Sequence, residues 1–195
     1  MRVVTVATLA TAPAARVLAR SLRAVHPGWR HEVLVAAAPE VVAAQGEIDF
    51  APLPAAVGAD LEGLLANHDE DELATLLVPF VLRHAIELAP GPVLHLPASS
   101  IVLGSLDPIE RELSEHGVLL SLRFRGELPD DGLQPTAEAG ETLGRVERTL
   151  MGVDGGELSR SFLSWWSRRA TDALGSVDAR RAGSRPEDRH WLGAF

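Results

Sequence analysis

The N-terminal part of the chain alternates between a strand pattern, a helix pattern and a second strand pattern. Residues Arg2 to Thr8 are apolar and β-branched, and Glu32 to Ala37 has the same tendency. Between them, Pro13 to Val25 carries apolar residues at helical spacing, and His26-Pro27-Gly28 ends that helix. A strand, a helix and a strand in this order predict a βαβ unit with parallel strands. The chain is therefore predicted to be an α/β protein with a mostly parallel, mixed sheet flanked by helices.

A further strand end is predicted near the middle of the chain. Pro92 to Leu96 is a short apolar run that Pro97 follows, which is typical of a buried strand in a parallel sheet. Asp107-Pro108 then predicts a helix from Ile109 to His116, with Asp107 as its N-cap. Ligands of open α/β sheets bind beyond the carboxyl ends of the strands, so a binding site is expected after Leu96.

The basic residues are all arginine, and the chain contains no lysine, cysteine or tyrosine. This composition excludes a Schiff-base or P-loop lysine, a thiolate nucleophile, a zinc–cysteine cluster, a disulfide and a tyrosine acid. A net charge of −9 argues against nucleic acid as a partner, since Arg180, Arg181 and Arg185 form only a small local cluster.

Length and hydrophobic content fit one folded domain. The 195 residues, of which 46% are hydrophobic, predict a single domain over residues 1–195. No apolar run reaches the roughly 18 residues of a membrane span, so no transmembrane segment is expected. The lack of cysteine is compatible with the cytoplasm, which is the predicted location. A secretory signal over Arg2 to Ala12 is the alternative, but Thr5, Thr8 and the adjoining helix fit a strand better.

The segment from His95 to Asp107 resembles a glycosyltransferase motif. GT-A glycosyltransferases, including family 8-like members, carry the pattern Tyr-Leu-Asp-x-Asp-x-Val-Val-x-Gly-x-Leu-Asp, and the framework of that pattern is present here. Pro97 and Ser99 occupy the two positions of the family's Asp pair, which holds a divalent cation against the diphosphate. The resemblance implies a Rossmann-like GT-A nucleotide-diphospho-sugar transferase fold. Because proline supplies no side-chain ligand and serine only a neutral hydroxyl, Mn²⁺ or Mg²⁺ is not expected as a cofactor.

Four other segments resemble the same family. They are the opening that ends in Ser21-Leu22-Arg23 and His26-Pro27-Gly28-Trp29, the stretch Glu72 to Phe80 in which Val78 replaces a lysine, the helix Phe162 to Trp166, and Asp188 to Leu192. The last of these resembles the family's Asp-Gln-x-Trp-Leu, with Arg189 in place of the glutamine.

The resemblance implies that the loop after the first strand would meet a nucleotide-sugar donor. Thr8, Ala10 and Thr11 in this loop are the candidates for contact with the base or ribose. Ser99, in the loop Pro97 to Ser99, would lie near the diphosphate.

Three further residues are candidates by their position in the resemblance. His95 and Arg189 are candidates for donor binding, and a guanidinium can neutralise phosphate oxygens in place of a metal. Asp188 is the candidate catalytic residue and would lie near the sugar. No residue is predicted to bind a metal.

Several other patterns have simpler structural explanations. Asp69-Glu70-Asp71 contains an Asp-x-Asp, but it precedes a predicted helix, Glu72 to Leu88, where acidic residues complement the macrodipole. His84 and Glu87 share one helix face and are interpreted as a surface pair. Gly152 to Gly156 is predicted to be the turn before a helix.

Two aromatic residues and one long segment complete the predictions. In the helix Glu157 to Arg169, Trp165 and Trp166 are interpreted as one core ring and one half-exposed ring. Arg123 to Glu147 is rich in glycine, proline and charge, and is predicted to be a long loop that serves as a lid or as a plain surface excursion.

Two functions remain open from the sequence. One is a glycosyltransferase that transfers a sugar from a nucleotide donor to an unknown acceptor without a metal. The other is a non-catalytic module that keeps the fold to bind a protein partner or to regulate an active transferase. An open, polar cleft with arginines at the Pro97 end of the sheet would favour the first, and a cleft filled by apolar side chains would favour the second.

Overall fold

Strands and helices alternate along most of the chain. The computed structural model describes residues 1–44, 50–53, 68–123, 131 and 146–175. Its strands are β1 (Arg2–Ala7), β2 (Arg30–Val35), β3 (Phe50–Pro52), β4 (Val93–His95), β5 (Val118–Leu122) and β6 (Val146–Val153). Its helices are α1 (Ala12–Val25), α2 (Pro39–Ala43), α3 (Glu70–Leu88), α4 (Asp107–His116) and α5 (Glu157–Gly175).

The described strands form one mixed sheet in the order β3-β2-β1-β4-β6-β5. β1 pairs in parallel with β2 and β4, and β2 pairs in parallel with β3. β6 runs antiparallel to both of its neighbours, β4 and β5. The predicted α/β class and mixed, mostly parallel sheet are confirmed.

The predicted βαβ unit is confirmed with small shifts of its boundaries. β1 and β2 pair in register from Arg2 opposite Arg30 to Ala7 opposite Val35. Helix α1 joins them and ends at His26, whose backbone N–H donates to the carbonyl of Leu22.

Strand β1 is buried on both faces, and its residues alternate between two cores. Val4 and Val6 pack with side chains of α3 and α5 on one face. Val3 packs with Leu18 and other α1 residues on the opposite face. This period of two is the signature of a central strand covered by helices on both sides.

Helix α3 begins and ends with side-chain hydrogen bonds. The Asp69 carboxylate accepts from the backbone N–H of Glu72 at 2.8 Å, so the helix-start interpretation of the acidic cluster is confirmed. At the other end, the Arg2 guanidinium donates to the carbonyls of Ala85 at 2.6 Å and Ala89 at 2.5 Å. The Ala85 carbonyl also accepts the N–H of Ala89, the C-cap residue, at 3.4 Å. Arg2 therefore adds side-chain donors at the end of α3 and ties β1 to it. Burial, followed by the repulsion of Arg30, lowers the pKa of Arg2.

The prediction that Asp107 is the N-cap of α4 is wrong. The helix begins at Asp107 itself, and Leu106 is the capping residue. The backbone N–H of Asp107 donates to Ser105 Oγ at 3.1 Å, and that of Leu106 donates to His26 Nε2 at 2.8 Å. A buried histidine from the end of α1 and a serine therefore accept the N–H groups of the capping residue and of the first helical residue, and no side chain caps the helix in the usual way.

The turn predicted for Gly152 to Gly156 is only partly correct. Gly152 and Val153 belong to β6, and the turn before α5 consists of Asp154 to Gly156. Val146 and Glu147, the end of the predicted long loop, also belong to β6. Arg123, the first residue of the predicted loop, forms an ion pair with Glu147 at 2.6 Å. Most of the remaining loop, and with it the lid prediction, lies outside the described residues.

None of the helices in the described ranges is both long and apolar enough to cross a lipid bilayer.

Candidate functional site

A cleft of about 340 Å³ lies at the carboxyl ends of β1 and β4. Chain order reverses between these two strands, since β2 and β3 continue on one side of β1 while β4 lies on the other. In open α/β sheets, such a switch point opens a crevice in which ligands bind. Val6 from β1, His95 from β4 and Pro97 to Ser99 all line it. A cavity therefore lies after Leu96, where the sequence predicts a binding site.

The loop between β1 and α1 holds its own polar groups together. Thr8 is fully buried, and its backbone N–H donates to Thr11 Oγ1 at 2.8 Å. The Thr11 N–H in turn reaches Thr8 Oγ1 at 3.3 Å, and the Ala12 N–H donates to the Thr8 carbonyl at 3.0 Å. Since Pro13 has no N–H, several donors at the start of α1 are either engaged inside the loop or missing. The helix start therefore offers a bound phosphate fewer free amides than an ordinary helix N-terminus.

His95 lines the cleft as a buried and neutral imidazole. Only 4% of the residue is exposed, and burial lowers its pKa from 6.5 to about 4. Its Nδ1 atom is buried and has no hydrogen-bond partner in the described part of the chain. At neutral pH the ring is uncharged and offers one donor and one acceptor. A buried polar atom without a partner is costly and marks a position where a ligand could complete the bonding.

The strand end does not fit the divalent cation that the fold family uses. Pro97 offers no side-chain ligand, and Ser99 offers a neutral hydroxyl, whereas Mn²⁺ and Mg²⁺ require charged oxygens. Among the residues that the structure describes, no group of three or more His, Asp or Glu side chains could hold a metal ion.

Further walls of the cleft come from two helices, α3 and α5, that pack on one face of the sheet, and from the strand β6 within it. Thr75 and Val78 lie on α3, Met151 on β6 and Trp166 on α5. No described residue that lines the cleft carries a formal charge at neutral pH. The cleft is thus open, as expected for a transferase, but its described lining lacks the arginines that were expected with it. It is also not filled by apolar side chains, as expected for a non-catalytic module. An aromatic ring, aliphatic side chains and several hydroxyls together provide an amphipathic surface.

Three of the predicted donor-binding residues are brought together in this cleft, namely Thr11, His95 and Ser99. Thr8 lies behind Thr11, and Ala10 is exposed at the loop surface and is not part of the lining. Asp188 and Arg189 lie outside the described residues, as does the Arg180 to Arg185 cluster. The role of each of these residues stays a prediction.

The sequence patterns do not indicate Thr75, Met151 or Trp166 as residues of the cleft. Trp166 is the buried ring and Trp165 the half-exposed ring of the predicted pair, and Trp166 also reaches the cleft from the core. Thr75 lies in the Glu72 to Phe80 stretch that carries the family resemblance, which is the one signal that could have indicated it.

The fold is that of GT-A-like glycosyltransferases, an α/β architecture with a mixed sheet between helices. The galactosyltransferase LgtC, solved in complex with donor and acceptor sugar analogs, matches 88% of this chain at 20% identity and a TM-score of 0.55. The glycosyltransferase GlyE of Streptococcus pneumoniae TIGR4 matches 99% of it at 14% identity and a TM-score of 0.58.

These likenesses establish the fold alone, because the identities are low. The chain spans 66% of the length of LgtC and 42% of that of GlyE. No family model matches the sequence, and a search of curated proteins finds no relative.

Proposed function

We propose that this protein binds a nucleotide-diphospho-sugar at the cleft between β1 and β4 and does so without a divalent metal. The observation that carries the proposal is the cavity at the topological switch point, lined by Thr11, His95 and Ser99. Its location corresponds to the place where open α/β sheets bind nucleotides, and the fold is shared with glycosyltransferases. Transfer of the sugar to an acceptor, with Asp188 near the sugar, is the activity that the resemblance implies.

A specific observation favours a second function. No charged side chain lines the described part of the cleft, and Pro97 and Ser99 lack carboxylates. A protein with these features could keep donor binding without transfer, or could serve as a non-catalytic module that binds an active transferase. The experiments below separate binding from transfer.

The first test is thermal unfolding against a panel of nucleoside diphosphates and their sugars, with Mn²⁺ or with a chelator. A ligand at ten times its Kd stabilises the folded state by about 1.4 kcal/mol. For a chain of this size, that corresponds to a rise in Tm of about 3 to 6 °C. We expect the same rise with metal and with chelator. No rise with any donor would contradict the proposal and favour the non-catalytic module.

A cleft-filling substitution identifies where the ligand binds. Thr75→Phe places an aromatic ring in the cleft and should abolish the donor-induced rise in Tm. Thr171→Phe is the matched control, because Thr171 is exposed on α5 and is not part of the lining. If both variants keep the full response, the ligand binds elsewhere.

A carboxylate replacement tests the metal argument directly. The double variant Pro97→Asp, Ser99→Asp restores the family's Asp pair at the two positions of the resemblance. We expect Mn²⁺ to increase the donor affinity of this variant and to leave that of the wild type unchanged. A metal response in the wild type would show that ligands outside the described residues complete a site. Release of nucleoside diphosphate from the donor, measured with wild type and Asp188→Asn, then reports catalysis separately from binding.

A further inference from the structure

The charge of the cleft restricts which part of a donor it can receive. Neither arginine nor a carboxylate lies among the described lining residues, and His95 is neutral at physiological pH. The backbone donors of Thr11 and Ala12 are engaged within their own loop. A diphosphate carries at least two negative charges and gains little from such surroundings, since its desolvation would not be offset.

The lining instead suits an uncharged ring with hydroxyl or amide groups. Trp166, Met151 and Val78 provide apolar surface, while Thr11, Thr75 and Ser99 supply hydroxyls, and these six residues come from five parts of the fold. A volume of about 340 Å³ is at the lower end of the range for ligand sites, about 300–1,000 Å³. It is suited to one small ligand portion rather than to a complete nucleotide-diphospho-sugar.

We propose that His95 is the specificity-determining residue of this cleft, and that its imidazole hydrogen-bonds an uncharged hydroxylated ring while the diphosphate lies outside. The unpartnered Nδ1 shows that no described protein group bonds this nitrogen of the ring. The lowered pKa supports the same assignment, because a neutral imidazole both donates and accepts. The inference rests on the proposed function, since it names the part of the donor that the cleft receives. The ring could come from a sugar or from a nucleoside.

The test compares neutral and charged fragments. Binding of free hexoses, ribonucleosides, inorganic pyrophosphate and a nucleotide-diphospho-sugar is measured by protein NMR, with the imidazole resonances of His95 as a local reporter. We expect hexoses or ribonucleosides to shift the His95 resonances and pyrophosphate to leave them unchanged. The hexose and ribonucleoside arms identify the source of the ring.

Two variants examine the role of His95 itself. His95→Leu should weaken binding of the neutral ring by about 5- to 10-fold, the effect of one hydrogen bond, without affecting pyrophosphate. His84→Leu is the matched control, because His84 lies on α3 away from the cleft lining. Should His95→Leu fail to fold, Ser99→Arg tests the same argument from an exposed position. A cation there should create pyrophosphate binding that the wild type lacks.

The outcomes separate this inference from the proposed function. If neutral rings bind and the complete donor does not, the assignment of the cleft stands and the proposed donor binding is overturned. If the donor and pyrophosphate both bind and no neutral ring does, the role of His95 is overturned and the proposed function stands. Equal affinity of wild type and His95→Leu for the ring would likewise refute the role of His95. No binding of any probe would overturn both.

Discussion

The burial of His95 predicts a measurable dependence of stability on pH. In the unfolded chain this histidine gains a proton near its ordinary pKa of 6.5, while burial in the folded protein lowers the pKa to about 4. Between these two values the unfolded state binds more protons than the folded state, so stability falls as the pH falls. Lowering the pKa of one histidine by this amount corresponds to about 3 kcal/mol. That loss is complete below pH 4 and absent well above pH 6.5.

The measurement is urea unfolding of wild type and His95→Leu at several values of pH from 7 to 4. Other histidines and carboxylates gain protons in overlapping ranges, so the difference between the two proteins is the quantity that reports His95. We expect the wild type to lose about 3 kcal/mol more than the variant over this interval. His116→Leu is the control, because His116 is exposed on α4, and it should follow the wild type within about 0.5 kcal/mol.

A parallel pH dependence of wild type and His95→Leu would refute the reasoning. It would mean that His95 is solvated or paired in the folded protein, and the cleft would then carry positive charge in acid. NMR titration of the His95 ring gives the folded-state pKa directly, and a value near 6.5 would lead to the same conclusion.

Three further predictions concern stability, each measured by urea unfolding. Gly152→Val should lower the free energy of unfolding by about 1–3 kcal/mol, since a Cβ at Gly152 would lie 2.9 Å from Leu113 Cδ2. Gly28→Ala is the control, because a Cβ there meets nothing within 4 Å, and it should change stability by less than about 0.5 kcal/mol. Arg2→Ala should cost about 1–3 kcal/mol, because the two hydrogen bonds from its guanidinium to the carbonyls of Ala85 and Ala89 are lost. A neutral result would show that water replaces the guanidinium. Asp69→Ala should cost about 1 kcal/mol and Asp69→Asn much less, and equal losses would argue against the capping bond.

The elements that depend on local patterns could be predicted from the sequence. β1, α1 and β2 follow from β-branched runs, helical spacing and a Pro-Gly stop, all of which act within a few residues. The Asp69 cap is equally local. The wrong prediction for Asp107 has a tertiary cause, since His26 approaches Leu106 from the end of another helix and accepts the N–H there.

Gly152 shows why a glycine-rich pattern was misleading. The pattern Gly-Val-Asp-Gly-Gly suggested a turn from its composition, but the first glycine lies in β6 against the side chains of Leu113 and Leu94. A Cβ there would lie 2.9 Å from Leu113 Cδ2 and would force that buried side chain to shift, so this glycine permits close packing of α4 on the sheet. Only the two later glycines belong to the turn, and Gly155 has the positive φ of 86° that favours glycine. The walls of the cleft likewise come from elements distant in the sequence and could not be assembled from local patterns.

The cleft and the Asp pair of the GT-A glycosyltransferases depend on different features of the chain. The cleft can therefore form without the Asp pair. The cleft follows from the strand order, because β1 and β4 diverge to their separate connections at this edge. The last pairing bond of this region runs from the Leu96 N–H to the Val4 carbonyl at 3.2 Å, and Pro97 then ends the ladder because it has no N–H. Its carbonyl accepts from Ser100 at 3.0 Å and forms the turn that shapes the rim. Proline at this position therefore fits the backbone, because no N–H is needed where the ladder ends. An aspartate here would contribute only a carboxylate for a bound ligand or metal. This backbone turn does not require an aspartate at Pro97, so the geometry of the cleft does not depend on the Asp pair. Under the proposed function, donor recognition would therefore rest on the side chains that line the cleft, with His95 foremost among them.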